Sequence, residues 1–136
     1  MSSYTSYAGG GADLGRVTAT YEYSAANLAV DRAFFIANVS CTVVSIILRV
    51  DVAGTDASPV TCQIRKAPSG TAIASGTILH SGTGNLKGTA NTNQTLTLST
   101  TASDLTIPIG TCIGFDLTGI STAAVGCVTV AFQGAA

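Results

Sequence analysis

Tryptophan is absent from this 136-residue chain, histidine occurs once, at His80, and charged side chains make up only 10% of it. A typical soluble domain carries about 25% charged residues. Each shortage removes a class of function. The six Lys and Arg are scattered and the net charge is −1. No basic stripe is available to neutralise phosphates, so a nucleic-acid partner is not expected. No apolar run approaches the roughly 18 residues that a membrane-spanning helix needs. The greasiest stretch, Thr42 to Val52, is interrupted by Arg49 and Asp51, and no membrane partner is expected. No helical spacing of apolar residues persists over three turns. The opening Met1-Ser2-Ser3-Tyr4-Thr5-Ser6-Tyr7 has neither the basic region nor the apolar core of a signal peptide, so synthesis in the cytoplasm is expected.

Groups that do chemistry are equally sparse. Catalysis needs titratable side chains clustered in a protected cleft. His80 sits in Leu79-His80-Ser81-Gly82, at the edge of a loop, and is expected to be a solvated loop histidine rather than a general base. No G-x-S-x-G nucleophile elbow is present. Asp51, Asp56, Asp104 and Asp116 have no spacing that predicts a facing pair of carboxylates or a calcium loop, and read as turn residues. The Gly-rich Ser81-Gly82-Thr83-Gly84-Asn85 matches no phosphate-binding fingerprint. Cys41, Cys62, Cys112 and Cys127 are widely spaced, form no C-x-x-C pair and read as small buried hydrophobes. The expectation is a protein that is not an enzyme, with no catalytic, cofactor-binding or metal-binding residues and no cofactor.

What the chain does contain is apolar material: 46% hydrophobic residues and a mean hydropathy of +0.46. Disordered chains show the opposite balance. The length suits one domain. A weakly charged, apolar surface is poor for a lone monomer, and points to surface buried against neighbours. The Arg residues at 16, 32, 49 and 65 are either interface anchors or partners in surface salt bridges to Asp13, Asp31 and Asp51.

From about residue 28 the pattern is β throughout. Thr42, Val44, Ile46, Leu48, Val50 and Val52 fall at alternate positions, the period of a half-buried strand. Val60, Cys62 and Ile64 alternate with Thr61, Gln63 and Arg65. Ile113, Phe115 and Leu117 form another such set, as do Val128, Val130 and Phe132. Ala72 to Leu79 is a weaker strand interrupted by Gly76, and His80 to Asn93 reads as a long loop. Leu105, Ile107 and Ile109 alternate around Pro108, which argues for an edge strand or a bulge. Roughly seven to nine short strands at this spacing predict an all-β, antiparallel β-sandwich, jelly-roll-like, over residues 28–136. Residues 1–27 differ. They hold Gly9-Gly10-Gly11 and all four tyrosines, and predict an extended, flexible N-terminal arm. Tyr is enriched at interfaces, so Tyr4, Tyr7, Arg16, Tyr21 and Tyr23 are the candidate partner-binding residues.

Arg32-Ala33-Phe34-Phe35-Ile36-Ala37 followed by Cys41-Thr42-Val43-Val44-Ser45-Ile46 resembles the opening strands of capsid decoration, or cement, proteins of tailed bacteriophages. Leu105 to Leu117 is similar to a strand–turn–strand of those proteins, with Thr111 where their pattern has Asp after the turn Gly. Cys127 to Gly134 looks like their closing strand. The resemblance implies a virion structural protein that sits on the outside of an assembled head and cements neighbouring major capsid subunits. It implies major capsid protein as partner and a homo-oligomer, with a trimer favoured. A tail or head-fibre component, or a carbohydrate- or receptor-binding module, is the alternative. The lack of Trp and the apparent burial of the four Phe count against the module.

Overall fold

The computed structural model describes residues 15–25 and 31–134. Within them the strands are β1 (Arg16–Ser24), β2 (Arg32–Ile36), β3 (Cys41–Val52), β4 (Thr61–Ala67), β5 (Thr77–Ile78), β6 (Gly84–Asn85), β7 (Thr92–Thr95), β8 (Thr106–Ile107), β9 (Cys112–Thr118) and β10 (Val125–Gly134). A 3-10 turn (Ile73–Ser75) and the one-turn helix α1 (Ala102–Leu105) complete the set. The first sheet has the order β1-β10-β3-β7, with β8 also on β3; the second has β2-β9-β4-β5, with β6 also on β4. All pairings are antiparallel. The partners nest: β1 with β10, β2 with β9, β3 with β7 and β8, β4 with β5 and β6. Together the two sheets form an antiparallel β-sandwich, the class expected from the alternating pattern.

The core lies between the sheets. Ala19 and Tyr23 enter it from β1, Ile46 and Leu48 from β3, and Val128, Val130 and Phe132 from β10. Cys62 and Ile64 face them from β4, and Ile113 and Phe115 from β9. Each fully buried large apolar side chain contributes about 1.5–3 kcal/mol. Phe35 stacks on Phe132 at 4.6 Å between ring centres, which ties the edge of the second sheet to the middle of the first. Two glycines make room for neighbours. A Cβ at Gly126 would collide with the Tyr23 hydroxyl and the Arg49 carbonyl, and one at Gly114 would collide with the side chain of Ile73.

In β3 the alternation of buried and exposed residues breaks at Val44. Ala131 pairs with Ser45 but Phe132 pairs with Val43, so Val44 is an extra residue, a β-bulge. An extra residue shifts the side-chain parity. Cys41 and Val43 are therefore buried before it, and Ile46, Leu48 and Val50 after it, whereas Thr42 is exposed and Val44 half-buried. The expected grouping of Thr42 and Val44 with Ile46 is corrected accordingly. Ala72 to Leu79 is a 3-10 turn and the short β5 rather than one strand. The expected loop from His80 to Asn93 contains β6 and the fully buried Leu86, whose N–H donates to Val60 O at 2.9 Å.

The largest correction concerns the N-terminal boundary. Residues 16–24, placed in the arm, form β1, which pairs with β10 from Arg16 opposite Gln133 to Ser24 opposite Val125. The physical reason is visible in the burial. Ala19 and Tyr23 are buried and Val17 and Tyr21 half-buried, whereas Arg16, Thr18, Thr20 and Glu22 are exposed. Residues 1–14 and 26–27 of the expected arm lie outside the described residues.

Candidate interaction surface

Of the five candidate partner-binding residues, Tyr4 and Tyr7 lie outside the described part. Arg16 is exposed at the start of β1, where its Nε donates to Gln133 Oε1 at 3.0 Å. Tyr21 and Tyr23 belong to the core. The Tyr21 ring lies 5.7 Å from Phe34 and 5.2 Å from Phe115. Tyr23 is only 1% exposed, stacks on Phe115 at 5.7 Å and donates its hydroxyl to Arg49 O at 3.1 Å. Burial pushes the Tyr23 hydroxyl well above the ordinary tyrosine range, with smaller pushes from Cys62, Asp51 and Cys127. Both rings pack on Phe115 and so join β1 to the second sheet. The alternation of Val17, Ala19, Tyr21 and Tyr23 against Arg16, Thr18, Thr20 and Glu22 was the signal for it.

His80 is likewise not a solvated loop side chain. It is 5% exposed. Its Nε2 accepts the Ile64 N–H at 2.9 Å and its Nδ1 lies 3.1 Å from Ser81 O. The ring is therefore the neutral tautomer with hydrogen on Nδ1. It stands in for a strand: β4 pairs with β5 at Arg65 and Lys66 and with β6 at Thr61 and Cys62, and the imidazole bonds the β4 backbone between them. Burial pulls its pKa below the usual histidine value, helped by the Arg65 charge and opposed by the Ser81 carbonyl. With both ring nitrogens engaged, His80 is not placed to serve as a general base.

The remaining polar groups are structural too. Arg65 pairs with Asp116 at 2.7 Å and donates to Gly76 O and Gln63 Oε1. Asp31 accepts the Leu117 N–H at 3.2 Å. Burial raises its pKa, the Leu117 N–H opposes this, and neighbouring Asp116 adds to the rise. Arg49 pairs with Asp51 at 2.9 Å, as the surface reading of those residues expects. The four cysteines are free thiols. Burial pushes the Cys62 thiol up to about 12, away from nucleophilic character. Among the described residues no group of three or more His, Cys, Asp or Glu is arranged to hold a metal ion, and no helix is long and apolar enough to cross a membrane.

Two surfaces remain that no internal packing explains. The first is the outer face of the first sheet. There Thr18, Ala131 and Ser45 lie side by side across β1, β10 and β3. The next row is Thr20, Thr129, Ile47 and Thr95 across all four strands, with the Thr20 and Thr129 hydroxyls 3.0 Å apart. Neither row carries a charge. Charge flanks them on both sides, with Arg16 in the row before Thr18 and Glu22 and Arg49 in the row after Thr20.

The second surface lies at one end of the sandwich. Gly134 N–H donates to Gly15 O, so both ends of the described chain meet there. Gly134 pairs with Cys41, and Cys41 with Ile107. Ile36 pairs with Cys112, and Ala37 exchanges backbone bonds with Gly110 and Thr111. This brings Ile36 (68% exposed) and Ile109 (67% exposed) to the same end. Beside them, along β2, runs a groove of about 370 Å³ lined by Ala33, Phe34, Phe35 and Ile36. Neither surface was found from the sequence. Ile36 ends an apolar run that reads as core, and Ile109 sits in a turn only because Pro108 and Gly110 flank it.

The fold has a counterpart among solved structures. A chain of the cyanophage Pam1 capsid asymmetric unit is similar to it with a TM-score of 0.53, over 97% of this chain and 91% of that one, at 16% sequence identity. At that identity the likeness establishes a common fold. No family model matches the sequence, and no curated protein is similar to it.

Proposed function

We propose that the protein is a structural component of a bacteriophage virion, made in the host cytoplasm. In this reading it binds the outside of the assembled head and cements neighbouring major capsid subunits. The observation that carries the reading is the likeness, nearly end to end in both chains, to a chain of a phage capsid asymmetric unit. The nested strand pairing supports it as the wound double sheet of a jelly roll, an architecture common in viral capsid domains. Function in this reading is contact, without chemistry: His80 bonds the β4 backbone and Cys41 and Cys62 are buried.

The surface we assign to the shell is the outer face of the first sheet. Interface cores are depleted in charge, and the two rows through Thr20 and Thr18 are uncharged across the strands they cross. The homo-oligomer in this reading is a trimer. The test is co-sedimentation of purified protein with head shells that lack it. Saturable binding, and shells that withstand higher temperature once decorated, are the expected result. Protein that stays in the supernatant at every shell concentration overturns the reading.

A further inference from the structure

We propose that the groove along β2, with Ile36 and Ile109 at its end, receives residues 1–14 of a neighbouring copy, and that this exchange builds the trimer. The inference rests on the trimeric reading above and says how the ring is made.

The argument starts from symmetry. A closed ring of three needs a heterologous contact, in which one surface of each copy meets a different surface of the next; a self-complementary patch gives a dimer instead. This molecule presents two unlike surfaces at one end. One is the apolar groove of Ala33, Phe34, Phe35 and Ile36, on a strand that is last in its sheet. The other is the N-terminal segment, which joins the sandwich at Gly15, at the same end as Ile36 and Ile109.

Their chemistry matches. The segment has no charged side chain before Asp13 and carries Tyr4 and Tyr7 among Ser and Thr. Such a stretch pairs readily as an added strand, and Tyr places an apolar ring in a groove while keeping its hydroxyl in water. An exposed apolar sheet edge is a liability that proteins cover, charge or bulge away. Here β2 bulges at Phe34, between residues paired with Gly114 and Ile113, but Ala33 and Ile36 stay exposed. Fourteen extended residues span on the order of 45 Å, enough to leave one sandwich and lie along the edge of the next. Gly9-Gly10-Gly11 supplies the joint between the part that docks and the part that enters β1.

The experiment uses full-length chains. Light scattering gives the mass of the unaltered protein and of Ile36→Asp, with circular dichroism as the check on folding. Separately, a size-tagged chain carrying Ser6→Cys is mixed with an untagged chain carrying Ala33→Cys, and a short bis-maleimide is added; the same chains without the added cysteines control for the native thiols. A trimer that Ile36→Asp converts to a folded monomer, a mass loss of about threefold, together with a tagged–untagged adduct, is the expected result. A trimer that survives Ile36→Asp, or forms no adduct, overturns the exchange while leaving the trimer standing. An intramolecular link in a single chain carrying both cysteines, with no mixed adduct, assigns the groove to the chain's own segment and also overturns it. A monomeric parent protein removes the trimer, and the exchange with it.

Discussion

At the scale of single residues, His80 carries the clearest consequence. Its Nε2 must be unprotonated to accept the Ile64 N–H, and burial holds its pKa below the ordinary histidine value of 6.5. The folded state therefore binds fewer protons at this site than the unfolded state in the window below pH 6.5. Stability is complete above that value and falls as the pH drops towards the folded-state pKa. The expected outcome is a urea midpoint that declines between pH 7 and pH 5, and a His80→Gln variant in which this part of the decline is flattened. An unchanged slope in the variant would remove His80 as its source; Asp31 does not supply it, because a carboxyl whose pKa is raised on folding stabilises the fold as the pH falls. His80→Ala, which strands the Ile64 N–H, costs about 1–3 kcal/mol at pH 7 in the same titration. None of this was legible in the chain. A lone histidine beside Ser-Gly carries no local mark of burial, because the strand gap it fills is created by residues sixteen positions away.

At the scale of elements, legibility followed the range of the cause. Strands β4, β9 and β10 were readable because their alternation is unbroken and local, so Cys62, Ile64, Ile113, Phe115, Val128, Val130 and Phe132 lie in the core as read. The bulge at Val44 was not, because it is defined by the partner's register. Strand β1 was misread through its tyrosines and the glycines before it, although its own alternation was present. A prediction follows for this element. Removing residues 1–24 takes away Tyr23 and Tyr21, which pack on Phe115, and leaves β10 unpaired on one side. Loss of one buried aromatic side chain costs about 3–5 kcal/mol, against a total stability of about 5–15 kcal/mol for a domain. The truncated chain is expected to lose its cooperative unfolding transition and its near-ultraviolet dichroism. A truncated chain that still unfolds cooperatively would make β1 an accessory strand.

For the whole molecule, the scarcity of charge acquires a location. Arg65 and Asp116 pair across the second sheet, while Glu22, Arg49 and Asp51 lie towards one end of the first and Arg16 lies at the other. This leaves the middle of the first sheet's outer face as a flat field of Thr, Ser, Ala and Ile. A lone soluble domain gains nothing from such a face, whereas a protein pressed against a shell does, since every charge buried there would need a partner. Placing a charge in that field separates binding from folding. Ile47 is exposed between Thr129 and Thr95, so Ile47→Lys is expected to change stability by no more than about 0.5 kcal/mol. Affinity for head shells should fall by at least about tenfold, equivalent to about 1.4 kcal/mol, because the ammonium group would be desolvated without a partner. Co-sedimentation at graded shell concentrations measures the affinity, and thermal unfolding measures the fold. Equal shell binding by Ile47→Lys and the parent chain would move the docking face away from the first sheet. The second sheet's outer side would then be the candidate, where Ile73 lies over Gly114 beside the Arg65–Asp116 pair.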